Sequence, residues 1–276
     1  MTSSPRAFAD DETGRFQVRL ARDERDILAA ERLRYRVFVE ELGGDGALVD
    51  HANRFERDEF DAVTDHLILT DATRDRAALD HVIGVYRLLR GDRAAEFGRF
   101  YCDGEYDLSA LRVSGRRLLE LGRSCVHPDH RGGAAMFLLW NALAEYVLGH
   151  GGGVLFGVAS FHGTDIEALK LPLAWLHHHH LAPEALRVRV LPGHFQRMDL
   201  LPKDGLDRRA AMLAMPPLIK AYLRLGGFVG EGAFVDRAFN TTDVCLLMDT
   251  AAMSEAHKGF YTRKRAVARK DGALAA

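Results

Sequence analysis

The stretch ELGRSCVHPDHRGGA, residues 120–134, is where two hydrophobic periodicities meet. Leu118 to Val126 reads as a strand. Beyond the stretch, Met136, Trp140, Leu143 and Val147 recur at spacings of four, three and four, which puts them on one face of a helix. Phe137, Ala144 and Leu148 widen that stripe, so the helix is expected to be covered on most sides. Pro128, Gly132 and Gly133 mark the turn, Gly149 to Gly153 stops the helix, and Val154 to Ala159 follows as a buried strand. Strand, helix and strand in this order predict a right-handed unit. Free backbone N–H groups and the positive end of the helix dipole converge at the turn, so a phosphate or a developing oxyanion would be held there. An ordinary strand-to-helix turn is the plainer alternative.

Outward from this unit the order stays mixed. Phe16 to Leu20 alternates like a short strand, and Asp23 opens a helical run carrying Ile27, Ala30, Leu33, Arg34 and Phe38. After the glycines at 43, 44 and 46 and a charged loop, Leu67 to Thr70 and Val82 to Leu89 predict an antiparallel hairpin. Downstream, Pro216 and Pro217 introduce a helix through Leu225, and Val244 to Met248 closes as a strand. At roughly 150 residues per domain, the 276 residues fit one enlarged domain. The expected organisation is a flexible N-terminus at 1–14, a single α/β domain at 15–250 and a basic tail at 251–276. Between His257 and Lys270 that tail has six Lys or Arg and no acid, and it is expected to fray.

Composition excludes whole classes. A hydrophobic fraction of 47% with 28% charged residues excludes collagen-like and disordered chains. The 37 basic and 39 acidic side chains leave a net charge of -2, so no global basic field exists and no nucleic-acid partner is expected. Cys102, Cys125 and Cys245 are odd in number and widely spaced, which fits a reducing compartment better than a disulfide framework or a zinc site; no metal is expected. The first fifteen residues lack an apolar secretory core, and no run of about 18 apolar residues occurs, so the expected location is cytoplasmic.

The pattern Val126-x-Pro128-x-x-Arg131-Gly132 resembles the acyl-CoA-binding motif of the GCN5-related N-acetyltransferase (GNAT) superfamily. The resemblance implies a central, mixed, mostly antiparallel twisted sheet flanked by helices, with Arg131, Gly132, Gly133 and Ala134 at the donor's phosphate. Where that superfamily has a further small residue pattern after its arginine, this chain has Ala134-Ala135-Met136. A Cβ at 134 and a long thioether at 136 crowd the approach of a pyrophosphate. A phosphopantetheine arm carries one phosphate, so the departure favours acyl carrier protein over CoA, with the thioester as donor substrate and no permanently bound cofactor.

Four further elements, Arg34-x-x-Val37-Phe38, Glu56-x-Asp58-x-Phe60-Asp61, Arg87-Leu88-Leu89 and Glu120-Leu121-x-Arg123, resemble in order the signature of acyl-homoserine-lactone synthases. The tryptophan those enzymes carry between the first two elements is absent here. A closer resemblance, to the ornithine-lipid N-acyltransferases and their glutamine-using relatives, runs from about Val18 to Met248. It is carried by Glu120 to His127, Leu171 to Pro183, Pro217 to Gly226 and Phe239 to Cys245. It implies transfer of a 3-hydroxy fatty acyl group from acyl carrier protein to the α-amine of ornithine or glutamine, giving a lyso-lipid. A lactone synthase using S-adenosylmethionine is the nearest enzyme alternative. A non-enzymatic, membrane-active hemolysin-like protein is the alternative from another class.

Chemistry narrows the roles. The acids from Glu56 to Asp61 need partners among Arg34, Arg36, Arg87 and Arg123, since crowded carboxylates raise one another's pKa while guanidinium neighbours keep them ionised. Asp58 and Asp61 are expected to bridge Arg34 and Arg87, leaving Glu56 or Glu120 freer to take a proton. The catalytic candidates are therefore Glu56, Asp58 and Glu120. Arg34, Phe38, Asp61, Arg87, Arg123, Ser124, Cys125 and Val126 are expected at the substrates, with Arg123 or Arg87 clamping the acceptor carboxylate through its fork. Backbone N–H groups near Ser124 to Val126 would receive the oxyanion.

Cys125 is also weighed as a nucleophile, although cysteine packs readily in cores. His177 to His180 cannot all face one ion, so surface or packing roles are favoured. A basic patch for an acidic carrier is expected from Arg208, Arg209 and Lys220 or from the tail. Met215 to Phe228, with Lys220 and Arg224, suits either core packing or a peripheral contact with the inner face of a membrane.

Overall fold

The computed structural model describes residues 8–10, 14–131 and 134–251. Most of the expected flexible N-terminus, the tail beyond residue 251, Gly132 and Gly133 lie outside the described residues. The elements are β1 (Phe16–Leu20), α1 (Glu24–Arg34), β2 (Asp65–Asp71), β3 (Val82–Arg90) and β4 (Leu118–Val126), then α2 (Ala134–Gly149) and β5 (Val154–His162). They continue with α3 (Ile166–His180), α4 (Pro217–Arg224), β6 (Phe234–Asp236) and β7 (Thr241–Asp249).

Among the described residues these strands belong to one sheet of nine, running β1-β2-β3-β4-β5-β7-β6, with the two-residue strand Ala9–Asp10 outside β1 and the two-residue strand Phe228–Val229 pairing β7. Every pairing is antiparallel except β4 with β5. Alternation along the strands sends Leu67, Leu69, Leu119 and Leu155 to one face, where Leu139, Ala142 and Tyr146 of α2 cover them. Ile68, Val82, Val85 and Cys125 reach the opposite face and meet Ala29, Ala30 and Leu33 of α1. Asp23 caps α1, its carboxylate accepting from the Asp26 N–H.

Three departures from the sequence reading matter for the site. The helix expected to run through Phe38 ends at Arg34, and the backbone widens into a π-helix, Tyr35–Glu41. Wider turns admit an extra residue and re-aim side chains, a feature frequent at functional sites. Periodicity cannot register one added residue. The closing strand begins at Thr241 instead of Val244, which adds Asp243 to the sheet. Met215, Ile219 and Tyr222 are buried in the main core, so that face of the 215–228 segment packs inward.

The third departure is the pairing of β4 with β5, which lasts only from Leu118–Glu120 against Val154–Phe156. Gly157 sits where the two strands part, and a Cβ there would lie 2.0 Å from the Leu121 carbonyl oxygen. On its other side, β4 pairs β3 with a register shift between Val85 and Arg87. Opposite that shift Arg123 takes a left-handed φ of 48°, a bulge that re-aims its side chain.

Replacing Gly157 by alanine is therefore expected to lower stability by about 1–3 kcal/mol, the range for an overpacked core. Gly149, with no atom within 4 Å of a built Cβ, is the matched control. Urea unfolding of G157A and G149A checks the difference, which vanishes if the β4–β5 approach is not tight.

Candidate active site

A cavity of about 1010 Å³ lies where β4 leaves β5. Its walls come from both faces of the sheet: Phe38 and Leu42 of the π-helical turn, Trp140 of α2, and Leu218 and Tyr222 of α4. The β4 edge from Glu120 to Val126 runs along it, so Ser124, Cys125 and Val126 all line the cavity. That edge has no β5 partner beyond Glu120, which leaves main-chain polar groups facing the cavity.

Beneath one wall lies a closed ionic network. Arg34 is fully buried; its Nε donates to Glu56 Oε2 at 2.6 Å, Nη1 to Asp61 Oδ1 at 2.5 Å, and Nη2 to Asp61 Oδ2 and the Glu56 carbonyl oxygen. Arg123 donates to Glu56 Oε1 at 3.0 Å and Asp58 Oδ2 at 3.1 Å, while Arg87 Nη1 donates to Asp58 and to Asp61. Three guanidinium groups thus face three carboxylates. Burial alone would raise the carboxyls, but Arg123 and Arg34 hold Glu56, and Arg87 and Arg123 hold Asp58, below the ordinary carboxylate range.

This corrects several expectations. Glu56 is not a free base: it is 1% exposed, paired to two arginines and kept ionised. Asp58 is likewise engaged, by Arg87, Arg123 and the Phe60 N–H of the short helix it caps. Arg34 and Asp61 do not reach the cavity surface; they fasten the 56–61 loop to the end of α1. Arg87 and Arg123 do line the cavity, yet the Nε–Nη2 fork of Arg123 is already occupied by Glu56 and Asp58. The Arg123 guanidinium is also sandwiched 4.8 Å from the Tyr101 ring and 5.3 Å from the Phe239 ring, which fixes its plane.

Glu120 differs from these acids. It lines the cavity, makes no ion pair among the described residues, and accepts from the Tyr101 and Cys102 N–H groups at 2.8 and 2.7 Å. Burial lifts its pKa despite those bonds. Cys125 is buried and its thiol is pushed up to about 12 by desolvation, so it stays protonated at neutral pH, against the nucleophile reading.

At the turn after β4, Arg131 lies on the cavity rim, donating through Nε to the Val126 carbonyl oxygen and through its fork to Glu41. A donor phosphate there would have to displace Glu41. Gly132 and Gly133 are not described, and Ala134 is the first residue of α2. Arg36, Arg74, His127 and His130 gather beside the turn, with Arg74 reaching both histidines at 3.2 Å. The sequence reading sought the basic patch at Arg208, Arg209 and Lys220; the first two are exposed and Lys220 is half-buried. Met136 lines the cavity as well.

Sequence reasoning missed a second acidic group. Asp243 and Asp236 line the cavity, and Glu105 is electrostatically coupled to both. Asp243 is 4% exposed and held at about 6, chiefly by desolvation. The available signal was an acid inside the otherwise uncharged run from Thr241 to Met248.

Asp61→Asn removes one of the two carboxylates that meet the buried Arg34 charge and breaks its bidentate pair, so a loss of about 3 kcal/mol is expected. The carboxyls of the network titrate lower folded than unfolded, so their stabilisation is present above roughly pH 4 and is lost as pH falls through the depressed values. The stability gap between wild type and D61N, measured by urea unfolding, should therefore shrink below pH 4. A gap that is absent at pH 7 contradicts the network's structural role.

The acetyltransferase (GNAT) domain family matches residues 33–141. Among solved structures, a CoA-dependent acyl-homoserine lactone synthase superposes with a TM-score of 0.48 and 17% identity, over 87% of this chain and 82% of that one. An L-ornithine N(alpha)-acyltransferase of Agrobacterium fabrum is 42% identical over 252 residues, 90% of this chain and 85% of that protein. One of Rhodobacter capsulatus is 72% identical over 249 residues, 90% of this chain and 95% of that protein. With such identity along nine-tenths of its length, and with a GNAT sheet that parts at the cavity, the chain belongs to the L-ornithine N(alpha)-acyltransferase family.

Proposed function

We propose that the protein transfers a 3-hydroxy fatty acyl group from acyl carrier protein to the α-amine of L-ornithine. The observation that carries this reading is the cavity at the β4–β5 parting, apolar toward α2 and α4 and polar along β4, within a chain 72% identical to an enzyme of that name. The acyl chain takes the apolar end between Trp140, Leu218 and Phe38. The thioester carbonyl lies at the β4 edge, where unpaired main-chain donors meet the oxyanion.

The α-amine is the cheaper nucleophile. On reference scales it loses its proton near 8 and the side-chain amine near 10.4, a gap worth about 3 kcal/mol. Glu120 is the base, because burial raises its proton affinity and no arginine pairs with it. Attack forms the C–N bond, collapse breaks the C–S bond, and the pantetheine thiolate takes up a proton the amine has released, relayed by water or through the Tyr86 hydroxyl, which lies beside Ser124 and Tyr222 and ends the step protonated. The carrier's single phosphate meets Arg131 and the cluster of Arg36, Arg74, His127 and His130, which also offers positive potential to an acidic carrier. The surface contact with a membrane that a lipid product implies is peripheral; among the described residues no helix is long and apolar enough to cross one.

Purified protein supplied with 3-hydroxyacyl carrier protein and ornithine should yield an N-α-acyl product by mass spectrometry, and acyl-CoA should be a poor donor. Absence of product with every amino acid tested counts against the reading, whereas equal rates from CoA remove only the carrier preference. Glu120→Gln should lower kcat by about 100-fold or more with little change in KM for ornithine. An unchanged kcat places the base elsewhere.

A further inference from the structure

The charges on and behind the cavity wall do not balance. Arg34, Arg87 and Arg123 are matched by Glu56, Asp58 and Asp61. Glu120 is held by two backbone N–H groups. Asp243 and Asp236 remain on the wall, with Glu105 interacting with both, and among the described residues none of the three forms an ion pair with Lys, Arg or His. Asp243 and Glu105 are 4% and 6% exposed, and each has a carboxylate oxygen, Oδ1 and Oε2, without a hydrogen-bond partner. Asp243 is part of the cavity wall, and a buried carboxylate there is costly unless something arrives to pair with it.

Position says what that is. Asp243 sits on β7 opposite Ser160 of β5, so β5 lies between it and the β4 edge that takes the thioester. Strands are about 4.8 Å apart, so with β5 between them β4 and β7 are two intervals, about 10 Å, apart. A three-carbon side chain reaching about 5 Å closes that distance together with the Asp243 side chain and a hydrogen bond of about 3 Å at the β7 end, while its α-amine faces β4. Resting on the acceptor reading above, we propose that Asp243, with Asp236 adding negative potential, is the subsite for the acceptor's side-chain ammonium, and that it selects a diamino acid over one with a neutral side chain. Holding that nitrogen as the cation also removes it as a competing nucleophile, which directs acylation to the α position.

The test uses L-norvaline, which is ornithine without its δ-amine, and L-glutamine as rival acceptors with 3-hydroxyacyl carrier protein as donor. Wild type should prefer ornithine over both by at least about 100-fold in kcat/KM, and over norvaline by up to about 10⁴-fold, the scale on which a site built for a polar group rejects an analogue lacking it. Asp243→Asn should lose most of that preference through KM for ornithine while using norvaline as wild type does. Asp243→Glu should shift preference toward 2,4-diaminobutyrate, whose amine is one methylene shorter. Equal wild-type rates for norvaline and ornithine overturn the subsite whatever the variants do. A folded D243N that loses norvaline and ornithine turnover alike overturns it too, since Asp243 would then act on the α-amine. No turnover of any amino acid by wild type sinks the proposed function itself, whereas turnover without discrimination sinks only this inference.

Discussion

Arg34 carries a full charge with no access to water, and the site is built on how that charge is met. Its donors face Glu56 and Asp61 at the end of α1, and through Asp58 the same loop is tied to Arg87 on β3 and Arg123 on β4. Taking such a group out of water costs several kcal/mol unless pairing and hydrogen bonds compensate, so the pairs have little freedom to rearrange. The network therefore acts as a fixed wall. It sets the π-helical turn carrying Phe38 against β4, and it holds Arg123 in its left-handed bulge between two aromatic rings.

Against that wall, the cavity follows from one short parallel pairing. Gly157 lets β5 pass close to Leu121, and beyond that approach the two strands diverge. An interior gap between strands normally leaves backbone groups unsatisfied, a state that native structures rarely tolerate in the absence of a ligand or water. Here the exposed edge of β4 is the part of the fold suited to an incoming thioester, and α2 and α4 supply the apolar cover that a fatty chain needs. The polar half is divided between a neutralised set of acids, which hold shape, and an unneutralised set on β4 and β7, which can act on a substrate.

Much of this was legible in the chain. The strand-turn-helix of residues 118–149, the hairpin of β2 and β3 and the closing strand follow from period and punctuation. The acids and arginines of the network were each identifiable, because charges in such number within apolar surroundings need partners. Their division of labour was not. Glu56 and Glu120 look alike in sequence, yet one lies between two guanidinium groups and the other against two backbone N–H groups. Asp243 was passed over because the strand was expected to begin one residue after it.

The sequence by itself determined the order of elements and the inventory of charges, since periodicity and composition are properties of the chain, while the GNAT-type sheet came from the resemblance its motifs carry. Only the tertiary structure decided which carboxylates are neutralised and which remain open, because a carboxylate's proton affinity depends on neighbours brought from distant segments. It also decided where the sheet parts, since that depends on a backbone approach of Gly157 to Leu121 that no local pattern encodes.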